Sequence, residues 1–365
     1  MRVSKWFLTG SIIALVSLIA SSCGYKHGKY ENPITKDTQQ PDKILFDKAI
    51  NDIEKGRFEM ARLTLQTLIN TYDSSEYLAK AKLAVGDAWY REGGARGRAQ
   101  AELEYKDFIL FYPTMQEAAE SQEKICRIHS EQMDRPDRDP SETLKTEQEC
   151  RQVLIQFPNS KFAPEAEQIT RNAQEVLAEG EFLVGKQYHD RGGFGNVSAA
   201  NRLSGVADQY PLYSKADEAL WLAADSYQKS GPRFRQMEGD AYTRIVRDYP
   251  LSPRADAAKA KLKTLEMPIP EADPAAVARM RFEAQNRVTP GLFHRLTNFM
   301  RSSPDTYTAA KAGAPQMNAP AKNVPVSVPI PGSAAGFQGD VTVAPADPTG
   351  ASPAGGNSKQ PAPSK

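Results

Sequence analysis

An aromatic residue followed by proline or aspartate recurs five times along the chain. The pairs are Tyr72-Asp73, Tyr112-Pro113, Phe157-Pro158, Tyr210-Pro211 and Tyr249-Pro250, at intervals of 40, 45, 53 and 39 residues. A period of this length marks stacked supersecondary units, none of which can bury its apolar face alone. The residues upstream keep register with the pairs. Seven positions earlier stand Leu65, Tyr105, Cys150, Leu203 and Tyr242; four earlier, Leu68, Phe108, Val153, Val206 and Ile245; three earlier, Ile69, Ile109, Leu154, Ala207 and Val246. Spacings of three and four put these side chains on one helical face. Eleven earlier, Ala61, Ala101 and Ala199 leave room for a neighbouring helix, while Thr146 and Glu238 break the position. Nine residues past the aromatic come Ala81, Ser121, Ala166, Ala219 and Ala258. The proline ends the preceding helix, because it lacks an N–H and disfavours helical geometry in the residue before it. Ser74 or Ser75, Ser160, Ser214 and Ser252 follow and are suited to cap the next helix. Each unit is expected to run helix, tight turn, helix, stop.

A second landmark identifies the repeat type. Ala49, Gly86, Gly185 and Ala224 are followed three residues later by Asp52, Trp89, Tyr188 and Tyr227, and four further on by Gly56, Gly93, Gly192 and Gly231. With Ala101-x3-Tyr105 and the closing proline, this resembles the tetratricopeptide signature. The expected fold is therefore all-α, a TPR-like helical-hairpin solenoid of about five repeats over residues 42–266. The third unit departs most, keeping Cys126 and His129 at the landmark places and carrying a polar insert from Asp134 to Pro140. The fourth has a long first helix, roughly Pro164 to Arg191. Units of about 40 residues exceed the ~34 of a minimal repeat, so longer helices are expected.

The N-terminus reads as a secretory signal over residues 1–22: Arg2 and Lys5, then an apolar run from Trp6 to Ala20, then small residues. The run is too short for a stable membrane span of ~20 residues. Ala20-Ser21-Ser22-Cys23 looks like a lipobox, which implies cleavage before Cys23 and its acylation with fatty acids such as palmitate. Gly24, rather than Asp, resembles the pattern of lipoproteins sent to the outer membrane. One acyl chain holds a protein only marginally, and stable anchoring needs more than one. Residues 23–41 are polar and Lys-rich, and read as a flexible tether.

Several chemistries find little footing. With 46 Lys+Arg against 45 Asp+Glu and a net charge of +1, the chain lacks the basic face that nucleic acid requires. The four histidines lie at least sixty residues apart, and Cys126-x-x-His129 alone completes no zinc site. Neither a metal nor another cofactor is expected. The Gly-rich stretches Arg91–Gly97 and Arg191–Gly195 each follow a helix rather than a strand, so they read as helix ends and not as phosphate loops. Cys126 and Cys150 sit on the two antiparallel helices of one unit in an oxidising compartment. A disulfide between them is feasible, although two buried thiols pointing apart would leave the same sequence. No base is placed beside either to make it catalytic. Trp89, Trp221 and the tyrosines at helical spacing read as repeat core, and Glu142–Arg151 as a solvated face; the partner-binding residues stay unassigned.

Beyond Leu265 the character changes. Residues 267–303 are expected as a helical extension: Met267-Pro268-Ile269-Pro270 breaks the last repeat helix, then Asp273 caps a helix to Arg287 with Pro274 in its first turn and Val277, Met280 and Ala284 on one face. Pro290–Met300 is short, apolar and basic, suited to dock on the last repeat, on a partner or on lipid, the repeat being favoured. Residues 304–365 hold 11 prolines among Ala, Gly and Ser and are expected to be disordered.

The lipobox, tether and five hairpins with aromatic-proline corners together resemble the BamD family, TPR lipoproteins of the outer-membrane β-barrel assembly machine, over roughly residues 20–266. The resemblance implies a non-enzymatic periplasmic scaffold, lipid-anchored at the outer membrane. It would bind the periplasmic domains of the central barrel subunit through its C-terminal repeats and unfolded outer-membrane protein segments through its N-terminal ones. One alternative is another TPR lipoprotein adaptor, a secretin or pilus pilotin or a cell-envelope coordinator. The other is a peptidoglycan-directed enzyme, which would need a carboxylate pair in a cleft that the sequence does not advertise.

Overall fold

Each aromatic corner closes a helical hairpin. The computed structural model describes residues 40–287 and 303–318. The signal segment, Cys23, nearly all of the tether, Pro290–Met300 and the tail past 318 lie outside the described residues. Among those described, every regular element is helical. The hairpins are α1 (Pro41–Glu54) with α2 (Phe58–Thr71), α3 (Leu78–Glu92) with α4 (Gly94–Phe111), α5 (Gln116–Ser130) with α6 (Ser141–Gln156), α7 (Ala163–Arg191) with α8 (Gly195–Gln209), and α9 (Ala216–Ser230) with α10 (Arg235–Asp248). A short 3-10 turn at Pro232–Phe234 precedes α10; α11 (Ala255–Thr264) and α12 (Pro274–Asn286) follow it. The chain is an all-α, TPR-like solenoid.

The register of the sequence becomes the core. The five residues seven positions before the corner aromatic are 1% exposed or less, and the five at four positions 2% or less. Burying one large apolar side chain contributes roughly 1.5–3 kcal/mol, so this repeated pair of positions holds every hairpin shut. The small residues serve close approach. A Cβ on Gly86 would stand 2.7 Å from Cε1 of Tyr105, so the α3–α4 crossing works because the position is glycine.

The corners are nearly superimposable in backbone. Tyr72, Tyr112, Phe157, Tyr210 and Tyr249 adopt φ between −124° and −131° and ψ between 51° and 70°. Each donates its N–H to the carbonyl four residues back and accepts at its own carbonyl from the residue three ahead, as in Tyr112 N to Phe108 O, 2.8 Å, and Met115 N to Tyr112 O, 3.1 Å. The corner serines behave differently from the capping expectation. The turn delays the helix start, so the N-cap position falls on Tyr77, Phe162, Lys215 and Arg254, none with a side-chain cap. Ser75 and Ser252 instead accept from Tyr77 N and Arg254 N inside the turn, 3.0 Å each. They donate to Asp42 and Asp217, 2.6 Å each. Ser214 likewise donates to Glu175. At these three corners the hydroxyl thus ties the turn back to the first helix of the unit that it closes, whereas Ser160 Oγ makes no such bond.

First helices of neighbouring units also touch, α1 with α3, α5 with α7 and α7 with α9, with no comparable contact between second helices among the described residues. First helices therefore form the inner row. Asp273 caps α12 as expected, accepting from Ala275 N at 2.9 Å. On its predicted face Val277 and Met280 are half-buried, Ala284 stays exposed, and Ala276 takes the buried place.

The expectation of a disordered tail from 304 onward is corrected for residues 304–318. These form an irregular strap with Ala309 and Ala310 buried at 1% and 8% exposure. Composition predicts disorder because such a stretch cannot bury apolar area alone. Here its backbone is satisfied by side chains of α7 and α12, which composition does not reveal.

Candidate interaction surfaces

The third unit concentrates the residues singled out from the sequence. Cys126 on α5 and Cys150 on α6 form a disulfide with Cα atoms 4.7 Å apart, buried against Val153 and Ala166. His129 stands where the second, fourth and fifth units place Trp89, Tyr188 and Tyr227, and is also buried. Its Nδ1 lies 2.8 Å from Glu142 and its Nε2 3.4 Å from Glu102. Burial alone would raise the Glu142 carboxyl, yet hydrogen bonds from Lys145 and His129 hold it below the usual range. The unit that departs from the signature thus replaces aromatic packing with a crosslink and a polar network joining α4, α5 and α6. The Asp134–Pro140 insert crosses over α7 at Gly180, where a Cβ would meet Pro136 O at 2.9 Å. Among the described residues no group of three or more His, Cys, Asp or Glu is placed to hold a metal ion.

The first two units expose apolar side chains on their second helices. Leu63 on α2 is 59% exposed, and Leu103, Leu110 and Phe111 on α4 are 57%, 73% and 61%. Cations border them. Arg62 stacks on the Trp89 ring with its guanidinium 3.5 Å from the centroid, and Lys82 lies 4.6 Å over Phe111. Arg62 is itself paired with Glu92, so these exposed apolar side chains suit a peptide that carries apolar residues.

A second surface lies on the inner row, where the strap runs along α7. Gln168, Arg171 and Gln174 share a face at spacings of three. They donate to the carbonyls of Ala310, Gly313 and Gln316 at 3.2, 3.0 and 2.7 Å. Glu175, the next residue, accepts from Thr308 Oγ1 at 2.8 Å and from Ser214 N at 3.0 Å. Desolvation raises the Glu175 carboxyl above its ordinary value, although those hydrogen bonds oppose the shift. Beside it a cavity of about 660 Å³ opens between the insert, α7 and the strap, with Arg135, Asp137, Glu179, Lys215 and Asp305 among its lining residues. From sequence, Gln168, Arg171 and Gln174 are indistinguishable from an ordinary solvated helix face; only their period of three hints at a function.

Comparison with known proteins covers the same stretch as the repeats. Residues 38–241 match the model of the YfiO family, described as an outer membrane lipoprotein. The outer membrane protein assembly factor BamD of Neisseria meningitidis is 23% identical over 219 residues, covering 57% of this chain and 79% of that protein. BamD of Caulobacter vibrioides is 24% identical over 214 residues, covering 59% and 68%. BamD of Pasteurella multocida is 26% identical over 240 residues, covering 63% and 86%.

Proposed function

The chain belongs to the YfiO family of outer membrane lipoproteins, and from that premise we propose that it is the lipid-anchored periplasmic scaffold of the β-barrel assembly machine, binding the central barrel subunit and unfolded precursors. Like its relatives, it is an outer membrane protein assembly factor, associated with that membrane, and not an enzyme. The observation that carries the finer reading is the coincidence of the matched residues 38–241 with the helical stack from α1 into α10.

A stack of preformed hairpins meets a partner without first ordering itself, which removes one cost of association. Acylation at Cys23 would confine it to a layer beside the membrane and raise its effective concentration toward membrane-bound partners. The exposed apolar strip of α2 and α4 favours placing unfolded precursors on the N-terminal units, while α10 and α11 are left for the barrel subunit's periplasmic domains.

No helix among the described residues is long and apolar enough to cross a membrane. A chain whose residues 1–23 are exchanged for a cleavable secretory signal without the cysteine should therefore leave the membrane fraction; its retention there would refute the anchor. A photocrosslinker at Arg247 or Lys263, both exposed on α10 and α11, should trap the central barrel subunit in intact cells. Trapping a secretin instead, or nothing, would overturn the assignment to barrel assembly.

A further inference from the structure

Every hydrogen bond that the α7 ladder makes to the strap ends on main chain. The donors Gln168, Arg171 and Gln174 are three residues apart, and so are the accepting carbonyls of Ala310, Gly313 and Gln316. Gln174 also accepts from Gln316 N at 3.1 Å, so one side-chain amide pairs with both backbone groups of one residue, as a neighbouring strand would. From α12, Glu283 accepts the consecutive N–H groups of Lys311 and Ala312 at 2.6 and 2.7 Å. Bonds of this kind carry no side-chain preference; the side-chain bond from Thr308 Oγ1 to Glu175, 2.8 Å, lies beyond the ladder at the strap's N-terminal end. What the site demands of its occupant is small size: Ala309 and Ala310 are buried, and Gly313, at φ 97°, would bring a Cβ to 2.9 Å from Leu212. The receiving side chains are built in, since Arg171 and Gln174 are 8% and 5% exposed with the strap in place.

We propose that this face of α7, closed by α12, is a receptor for the main chain of an extended peptide rich in small residues, and that residues 305–316 occupy it as a resident ligand which a segment of another protein must displace. A tether holds the strap at an effective concentration in the millimolar range, so the site answers only to a competitor delivered at comparable local concentration. Main-chain recognition supplies affinity, and the space around the occupant supplies selectivity, as when a peptide adds to a sheet edge. The proposal concerns the central units and stands whether or not the lipid anchor and the barrel-subunit contact hold.

The test uses the full chain. Ala309→Arg together with Gly313→Val should eject the strap while leaving the helices unchanged by circular dichroism. A fluorescent peptide spanning Pro304–Asn318 should then bind this variant at least ten-fold more tightly than the unaltered chain. Adding Arg171→Met, which keeps the apolar stem and removes the donor, should weaken that binding several-fold, and adding Gln168→Ala and Gln174→Ala should abolish it. A peptide with its small residues shuffled around a fixed Gly313 should bind within a few-fold of the native order. In the unaltered chain the amides of Lys311, Ala312 and Gln316 should exchange slowly. Equal peptide binding by the unaltered and ejected forms, no binding by the ejected form, indifference to the α7 substitutions, or free exchange of those three amides would each refute the proposal.

Discussion

At the scale of single residues, the repeat works through one large and one small side chain placed to meet. Tyr105 fills the space that Gly86 leaves, and its hydroxyl reaches Asp87 at 2.7 Å. Gly86→Ala should therefore force the buried ring aside and destabilise the chain by about 1–3 kcal/mol, read from urea unfolding. An unchanged midpoint would mean that α3 and α4 can separate without loss. The corner serines give a second residue-level prediction. The hydrogen bond from Ser75 holds the Asp42 carboxyl below its ordinary value. A carboxyl lowered in the folded state adds stability above its unfolded pKa, and that stability is lost as pH falls through the folded value. In Ser75→Ala the Asp42 carboxyl should titrate at higher pH by NMR, and this acid-side contribution should shrink. Glu175 has the opposite sign. Its raised carboxyl costs stability as pH rises from the unfolded toward the folded value, so mild acid should relieve the desolvation of this site, although the hydrogen bonds from Ser214 and Thr308 favour the charged form.

At the scale of elements, the third hairpin is held by different means from the other four. Its landmark positions carry Cys126 and His129, and its inward position carries Cys150 where the other hairpins place Leu65, Tyr105, Leu203 and Tyr242, so a crosslink stands in for a large inward side chain. The disulfide closes a sequence separation of 24 residues around the insert. Constraining an unfolded loop of that size is worth about 3–4 kcal/mol on the chain-entropy account. Reduction should lower the stability of the chain by a comparable amount. In a stack where each unit touches only its neighbours, the effect should be local, with amide exchange in α5 and α6 rising before that of α9 and α10. Uniform acceleration along the chain would show instead that the solenoid unfolds as one unit.

At the scale of the whole molecule, the solenoid carries its own core, and the strap lies on it. Ending the chain after Ser303 should leave helicity by circular dichroism unchanged while amide exchange rises along α7 and α12; a large loss of helicity would make the strap part of the fold. The repeat itself was legible in sequence because its determinants are local. Helical spacing, a proline after the aromatic and a small residue at each crossing act within one unit, so Leu65, Tyr105, Leu203 and Tyr242 could be aligned and assigned to the inside from spacing alone. Asp273 and Pro274 marked the start of α12 for the same reason. The rest depended on residues far apart in the chain. Whether Cys126 and Cys150 meet, which acid a corner serine reaches, and what covers Gln168, Arg171 and Gln174 are set by how helices cross. The strap shows the difference most sharply: its own composition promises no structure, because its stability comes from main-chain hydrogen bonds to side chains 142 positions earlier. Local periodicity fixes which face of each helix is buried; only the assembled stack decides which polar groups on the remaining faces find a partner.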